Sequence, residues 1–562
     1  MKMHDMADEP ISEPLQEKAV DIGVAESKEV NNDSSGRPSS PSRSPDPHGR
    51  ASPESAYQSG PRLWLTLSAL SFVIILGGLD FSIVGVAVPA ITEEFHTIAD
   101  VGWYSVSYRL TACVCQFAWG QLYTIFSVRR VLAVAIIVFL IGSAVAAAAT
   151  SSVMFVVGRA ISGVGSAGVL GGTFTAIMVV APLRIRPVLT SLLSALEAVA
   201  MVTGPIIGGV LTQHTTWRWC FYLNLPVGGA ALVFLVLFLT DAPPPGAEQR
   251  TLNWKQILVK MDIVSNIFLT GSLTCLFMVL SWAGINYEWS SATIIGLLVT
   301  FAVGFFIFVF VEYRRGNEGT LPARIVKQRS VAAGAWFSCC LNGALGVLEY
   351  YIPIYFQVVL GWSPAKAGYM MLPVTVGFNI GLLIQGFGTT WLGYYNPFMI
   401  MSSVILPIGA GLVTTWTKSS SLAPFIVFSG MIGLGSGLGF EVPQIAVQTV
   451  LPEDDGALGL SVTLFAQNFG GALFISIAQQ VFTAKLLDNL RDKLPDLTAT
   501  AIQNLSFIDL PGSSLTSGSQ DIIAGSFKQI WYVAVVLACL MAIGSVATQW
   551  RSVKGDPEAD TP

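Results

Sequence analysis

The chain has 562 residues, 52% of them hydrophobic and only 12% charged, with a mean hydropathy of +0.63. That balance excludes a soluble globular protein with an ordinary polar surface and describes an integral membrane protein. A net charge of -5 without a basic domain excludes nucleic acid as a partner, and the seven cysteines read as small buried hydrophobes, with no disulfide or metal framework.

In chain order, residues 1–60 are rich in Ser, Pro, Glu and Asp and lack a signal-peptide pattern, so they are expected to form a disordered cytoplasmic tail. Apolar runs long enough to cross a bilayer follow near 63–88, 101–123, 131–150, 153–180, 188–212, 219–239, 262–283, 291–313, 331–358, 367–391, 397–416, 422–441, 458–483 and 527–550. They predict an all-α membrane protein of fourteen transmembrane helices, an even count that puts both termini on one side. Basic residues choose the cytoplasmic side: Arg129, Arg130, Arg184, Arg186, Arg250, Lys255, Lys260, Arg314, Arg315, Arg324, Lys327 and Arg329 fall in inner connections, while the outer ones are fewer, with Lys485, Arg491 and Lys493 in 484–526. That outer loop also holds Asn504-Leu505-Ser506, a glycosylation acceptor.

Hydrophilic stretches at 240–261 and 314–330 bracket helices seven and eight. They divide the chain into an N-terminal six-helix bundle (63–240), a linker carrying the two-helix insert (241–329), a C-terminal six-helix bundle (330–550) and a cytoplasmic tail (551–562). Related segments after the second helix of each half, Gly120 to Arg130 and Gly386 to Trp391, make the halves pseudo-symmetric, the plan of a secondary transporter.

Helix five carries the sharpest local signal. Gly204-Pro205-Ile206-Ile207-Gly208-Gly209 interrupts an apolar run, and Glu197 lies seven residues before its first glycine. Proline leaves the Met201 carbonyl without its helical partner, which hydrocarbon tolerates only where protein or a wet cavity receives it. An acid beside such a break points to transport, whereas the bland alternative is a kink that only packs. The other ionisable groups at membrane depth are Asp80, Arg109, Arg159 and Glu349. Counting ~1.5 Å per residue from the outer helix ends places these four at a similar depth, about 10–13 Å, with Glu197 deeper. Asp80 is therefore expected to pair with Arg109 or Arg159, as a structural ion pair or as part of the transport cycle.

His4, His48, His96 and His214 all fall in the tail or in outer connections, so proton transfer at mid-membrane would rest on carboxylates. No Gly-Lys pair occurs, hence no phosphate-binding loop, and the energy source must be a gradient. One entering proton supplies about 1.4 kcal/mol per pH unit and about 2.3 kcal/mol per 100 mV. Asn342, Tyr351, Gln357, Asn379, Gln467 and Asn468 are read either as the wall of a cavity for bulky, mostly apolar ligands or as bridges between helices.

Several stretches resemble a known family. Leu79-Asp80-Phe81-Ser82-Ile83-Val84-Gly85-Val86-Ala87-Val88-Pro89, the segment from Gly120 to Arg129-Arg130, Arg159 with Gly163 and Gly165, Gly204-Pro205, and Trp217-Arg218-Trp219 are together similar to the major facilitator superfamily. Within it they resemble the fourteen-span drug:proton antiporters, fungal toxin and multidrug efflux pumps in particular. The resemblance implies a cytoplasmic gate at Gly120, Arg129 and Arg130, an antiporter motif at Gly204, Pro205, Gly208 and Gly209, and proton coupling through Asp80, Arg109, Arg159, Glu197 and Glu349. It departs at Thr124, where the family has an acid, and at Ala200, where it has a glycine.

The expected function is proton-coupled efflux of small, mostly apolar compounds such as a fungal secondary metabolite, toxin or drug, by alternating access. The expected chain is a monomeric plasma-membrane or vacuolar protein, with no cofactor or metal and no enzymatic activity. Two alternatives stay open: proton symport for uptake of a metabolite or iron chelate, and a non-transporting membrane sensor.

Overall fold

A computed structural model describes residues 60–96, 101–241, 260–283, 287–316, 319–493 and 517–554, all within one compact unit from Pro53 to Pro562. The expected tail 1–60 up to residue 59, the core of the outer loop with Asn504, and the tail beyond 554 lie outside the described residues. The described chain is helical throughout, apart from turns, short connections and two isolated β-bridges.

Thirteen helices among the described residues are long and apolar enough to cross a membrane. They are α1 (Pro61–Phe95), α3 (Val128–Ala147), α4 (Ser152–Val180), α5 (Arg186–His214), α6 (Trp219–Phe238), α7 (Ile263–Leu280), α8 (Ala292–Arg315), α9 (Arg329–Val358), α10 (Lys366–Leu392), α11 (Asn396–Val413), α12 (Leu422–Val450), α13 (Glu453–Leu486) and α14 (Ala524–Ala547). The expected second span, α2, is two helices end to end, Val101–Val114 and Gln116–Ile125. Neither piece is long enough alone. Yet Cys115 N bonds Thr111 O at 3.1 Å and Trp119 N bonds Cys115 O at 3.2 Å, so helical bonding runs through the junction. The architecture is thus an all-α multi-pass membrane protein consistent with fourteen spans.

Helix starts follow local chemistry. Ser151 and Ser291 accept from Met154 N and Ile294 N, each at 3.3 Å, capping α4 and α8, and Pro61 and Pro187 occupy first-turn positions where a missing N–H costs nothing. One boundary differs from expectation. α12 does not stop at residue 441 but turns at Glu441 and runs on from Val442 to Val450, because Pro443 sits in the first turn of the second piece and starts it afresh.

The helices pack in a repeated pattern. In the first six, α1 packs on α5 and α6, α2 on α4, and α3 on α4 and α6; in the last six, α9 packs on α13 and α14, α10 on α12, and α11 on α12 and α14. Each pairing reappears eight helices later. The seams between the two sets repeat as well, α5 against α10 and α13 against α2. α7 packs on α8 and touches both α2 and α13. α8 is the least covered of all, with only 11% of its most apolar stretch buried.

Small residues permit these approaches. A Cβ on Gly165 would lie 2.6 Å from the Phe139 Cα, welding α4 to α3, and one on Gly381 would lie 2.6 Å from the Leu434 carbonyl, welding α10 to α12. Of the cysteines, Cys113, Cys220 and Cys340 are buried, but Cys539 faces outward on α14, so burial does not describe all seven.

Candidate functional site

Between the two sets of helices lies a cavity of about 420 Å³. Its wall is mostly apolar, with Ile74, Phe81, Phe174, Met201, Leu345, Phe378 and Phe440 on it. Set into that wall are Arg109, Gln116, Ser194, Glu197, Asn342, Glu349, Tyr350, Glu441, Gln467 and Asn468. An apolar surface with a few convergent polar groups is the usual composition of a small-molecule site.

Glu197 reaches the cavity because of how α5 meets α1. A Cβ on Gly78 would sit 2.7 Å from the Glu197 carbonyl, one on Gly208 would sit 2.6 Å from Ile83 Cγ1, and one on Gly204 would fall on Ser82 Oγ. These glycines let the two backbones touch along one face of α5, which leaves Glu197 lining the cavity beside that contact. Gly209 stands apart: its nearest neighbour would be Val86 Cγ1 at 3.8 Å. Pro205 lies inside a helix that continues past it to His214.

The ionisable groups expected at one depth separate into two places. Asp80 and Arg159 form a pair 2.7 Å apart, with side chains 0% and 2% exposed. Asn224 Nδ2 donates to the other Asp80 oxygen at 2.8 Å, and Tyr108 stacks under the guanidinium at 4.3 Å. Arg109 does not join that pair. It lies 4.2 Å over the Phe81 ring and lines the cavity, as does Glu349, close enough for their charges to act on one another. Tyr108 lines the cavity too and donates to Ser166 at 2.8 Å, standing between the buried ion pair and the open space.

Asn342, Gln467 and Asn468 line the cavity, whereas Tyr351, Gln357 and Asn379 do not. Tyr351 is buried between Phe482 and Phe527, because successive helical residues point about 100° apart and its neighbour Tyr350 takes the cavity face. Gln357 and Asn379 donate to carbonyls of their own helices, Pro353 O at 3.3 Å and Thr375 O at 2.9 Å.

The cavity is floored on the side where α1 begins and α14 ends. There Ser191 Oγ of α5 donates to Gln385 Oε1 of α10 at 2.9 Å, and Ser194 Oγ donates to Glu441 Oε1 of α12 at 2.6 Å. Arg186, 3% exposed, donates to the carbonyls of Met178 and Ala181 and lies 3.6 Å from Glu453 at the head of α13. Gly120 of α2 presses on Ser461 of α13, and the Phe117 and Phe465 rings meet at 4.7 Å. Of the other residues of the expected gate, Arg130 pairs with Asp241 at 3.0 Å and Arg129 is half-buried, while Thr124, where the resemblance departs, turns its hydroxyl to the Gln121 carbonyl at 2.8 Å.

Glu441 was absent from the residues read out of the sequence. The signal was present, an acid in an apolar run two residues before Pro443, as Glu197 stands eight residues before Pro205. Ending the twelfth span at 441 put that acid at a helix end, where acids are unremarkable.

The family model described as the Major Facilitator Superfamily matches residues 70–313. The MFS-type efflux pump MFS1 of Trichophyton rubrum is 37% identical over 502 residues, 89% of this chain and 93% of its own. Efflux pump aflT of Aspergillus parasiticus is 38% identical over 508 residues, 90% of this chain and 98% of its own. Among solved structures, the human organic anion transporter MFSD10 aligns over 85% of this chain and 100% of its own, with a TM-score of 0.53 at 13% identity. The proton:xylose symporter XylE, bound to 6-bromo-6-deoxy-D-glucose, aligns over 84% and 94%, with a TM-score of 0.55 at 16% identity, and both share the fold. By its sequence, its helices and these relatives, the chain belongs to the major facilitator superfamily of membrane transporters.

Proposed function

We propose that the chain exports small, mostly apolar organic compounds, such as a fungal secondary metabolite, toxin or drug, in exchange for protons. The observation that carries this reading is Glu197 on the wall of an apolar cavity between two pseudo-symmetric helix sets, one turn from the bridge that closes the floor. The names of the relatives, fungal efflux pumps, support the direction.

The cycle runs by alternating access of the N-terminal and C-terminal six-helix bundles, 63–240 and 330–550, with 241–329 as the connecting insert. With the termini in the cytoplasm of a plasma-membrane protein, the floored side is the cytoplasmic one, and the structure is the outward-facing state. Glu197 and Glu349 are the proton carriers. Each meets a different electrostatic setting as the cavity opens and closes, and a carboxyl group moved between apolar and charged surroundings takes up and releases a proton. Asp80 and Arg159 form the counter-charged brace behind Tyr108, and Arg109 answers Glu349. Asn342, Gln467 and Asn468 orient the substrate.

The test is expression of the full chain in a pump-deficient yeast challenged with a toxin panel. Protection by the wild type should be lost in Glu197→Gln at equal surface expression. Equal sensitivity of both strains to every compound would overturn efflux. Uptake of compound together with protons would overturn the direction in favour of symport.

A further inference from the structure

Glu441 has no part in the cycle described so far, yet it heads a buried polar stripe. It stands at the break of α12, 1% exposed, and is followed by Gln444 at 0% and Gln448 at 6%. Steps of three and four residues put all three on one helix face, over about 10 Å of its length. At one end Glu441 lines the cavity, and Gln444 Nε2 donates at 2.9 Å to Gln467 Oε1 of α13, which lines it too. At the other end Gln448 lies two residues before α12 stops at Val450, and Glu453, Asp454 and Asp455 then open α13.

Amides elsewhere in the bundle are satisfied locally: Asn342, Gln357, Asn379 and Asn468 each donate to a carbonyl of their own helix. The stripe is different. Glu441 Oε2, Gln444 Oε1 and both amide atoms of Gln448 are buried without a protein partner. Buried polar atoms are nearly always satisfied, and where protein does not serve them water does. Four such atoms in line describe a file of water rather than a glue between helices. Ser194 closes its upper end: the hydroxyl donates at 2.6 Å to Glu441 Oε1, and Ser194 shares a face of α5 with Glu197, three residues on. Oε1 thus belongs to the Glu197 side, and Oε2 is the oxygen left for the stripe.

We propose that Glu441, Gln444 and Gln448 line a narrow water passage by which the proton of each cycle reaches the cytoplasm, apart from the opening that admits the substrate. With the floor open, Ser194 is parted from Glu441. An O–H bond at Glu197 breaks as one forms at Glu441, and the acid then gives that proton to water held by Gln444 and Gln448, which returns Glu441 to a carboxylate. With the floor shut, Ser194 holds Oε1 and cuts the passage off from the cavity. The assignment rests on the proton-exchange reading above and adds the proton's way out.

The experiment uses the full chain and needs no transported compound. In a version freed of its own cysteines, inside-out vesicles are treated with a small charged methanethiosulfonate reagent. Gln448→Cys should react about tenfold or more faster than Ala446→Cys, which is buried on the opposite face, because a hydrated thiol ionises and a dry one does not. In proteoliposomes under an imposed potential, with a pH dye trapped inside, Ser194→Ala should raise the proton leak several-fold. Adding Gln448→Leu should abolish that rise, and adding Gln448→Ser, which still holds water, should keep it. Equal reaction at positions 446 and 448 overturns the passage. So does a Ser194→Ala protein that does not leak, a leak that survives Gln448→Leu, or one lost equally in both Gln448 variants. Any of these results beside a yeast strain still protected by the wild type leaves export standing, whereas an unprotected strain overturns export itself.

Discussion

Asp80 and Arg159 are each almost fully buried, so neither charge can fall back on water. Two desolvated charges in contact are a fragile economy, because removing one strands the other. Asp80→Asn is therefore expected to destabilise the chain by about 3–5 kcal/mol, read as a lower unfolding temperature in detergent. Asp80→Asn combined with Arg159→Gln should recover part of that loss, since no unpaired ion remains. A double variant no more stable than the single one would show that the pair is not the source of the effect. At this scale Asp80, Glu197 and Glu349 were legible, because a charge inside an apolar run needs no alignment to be noticed, whereas Glu441 was not, because the run was ended at it. Which arginine served Asp80 was not, since Arg109 and Arg159 share a depth and differ only in the direction of their side chains. Tyr350 and Tyr351 show the same limit: helical phase decided between them, and an apolar run of spanning length does not display its phase.

The α1–α5 contact turns single glycines into a property of two helices. Gly208 lies against Ile83, whereas a Cβ on Gly209, one residue on, would meet only Val86 Cγ1 at 3.8 Å, an ordinary contact. Gly208→Leu should cost about 1–3 kcal/mol through overpacking, and Gly209→Ala should be nearly silent, both measured by thermal unfolding. Equal effects at the two positions would mean that the backbone break, not the contact, is what the motif supplies. Element existence was legible from apolar length alone. Continuity was not: α2 is cut at Cys115 without any proline or glycine at the junction, and α12 runs on past Glu441 because Pro443 restarts it.

For the whole molecule, the seams α5–α10 and α2–α13 are the surfaces that must part and meet again if access alternates. Ser191 and Gln385 face each other across the first of them at 2.9 Å. In a chain freed of its own cysteines, Ser191→Cys with Gln385→Cys should cross-link under mild oxidation and stop transport, and reduction should restore it. Cross-linking that leaves turnover intact would show that this seam does not open. The repeat of packing eight helices apart was foreshadowed by the paired segments near residues 120 and 386, but the seams themselves arise from side chains far apart in sequence, and no local pattern announces them.

The two seams are equivalent in packing but not in what lies over them. α7 touches both α2 and α13, with Phe277 against Phe469 and Gln480 donating to the Ala283 carbonyl, whereas among the described residues no spanning helix packs over both α5 and α10. On that flank Val199 and Ile206 of α5 and Val376 and Ile380 of α10 stand exposed. A two-helix insert on one side thus gives a near-symmetric molecule a front and a back. A compound dissolved among the lipid tails meets a shuttered wall on one flank and a bare one on the other, so any sideways traffic between bilayer and cavity is one-sided.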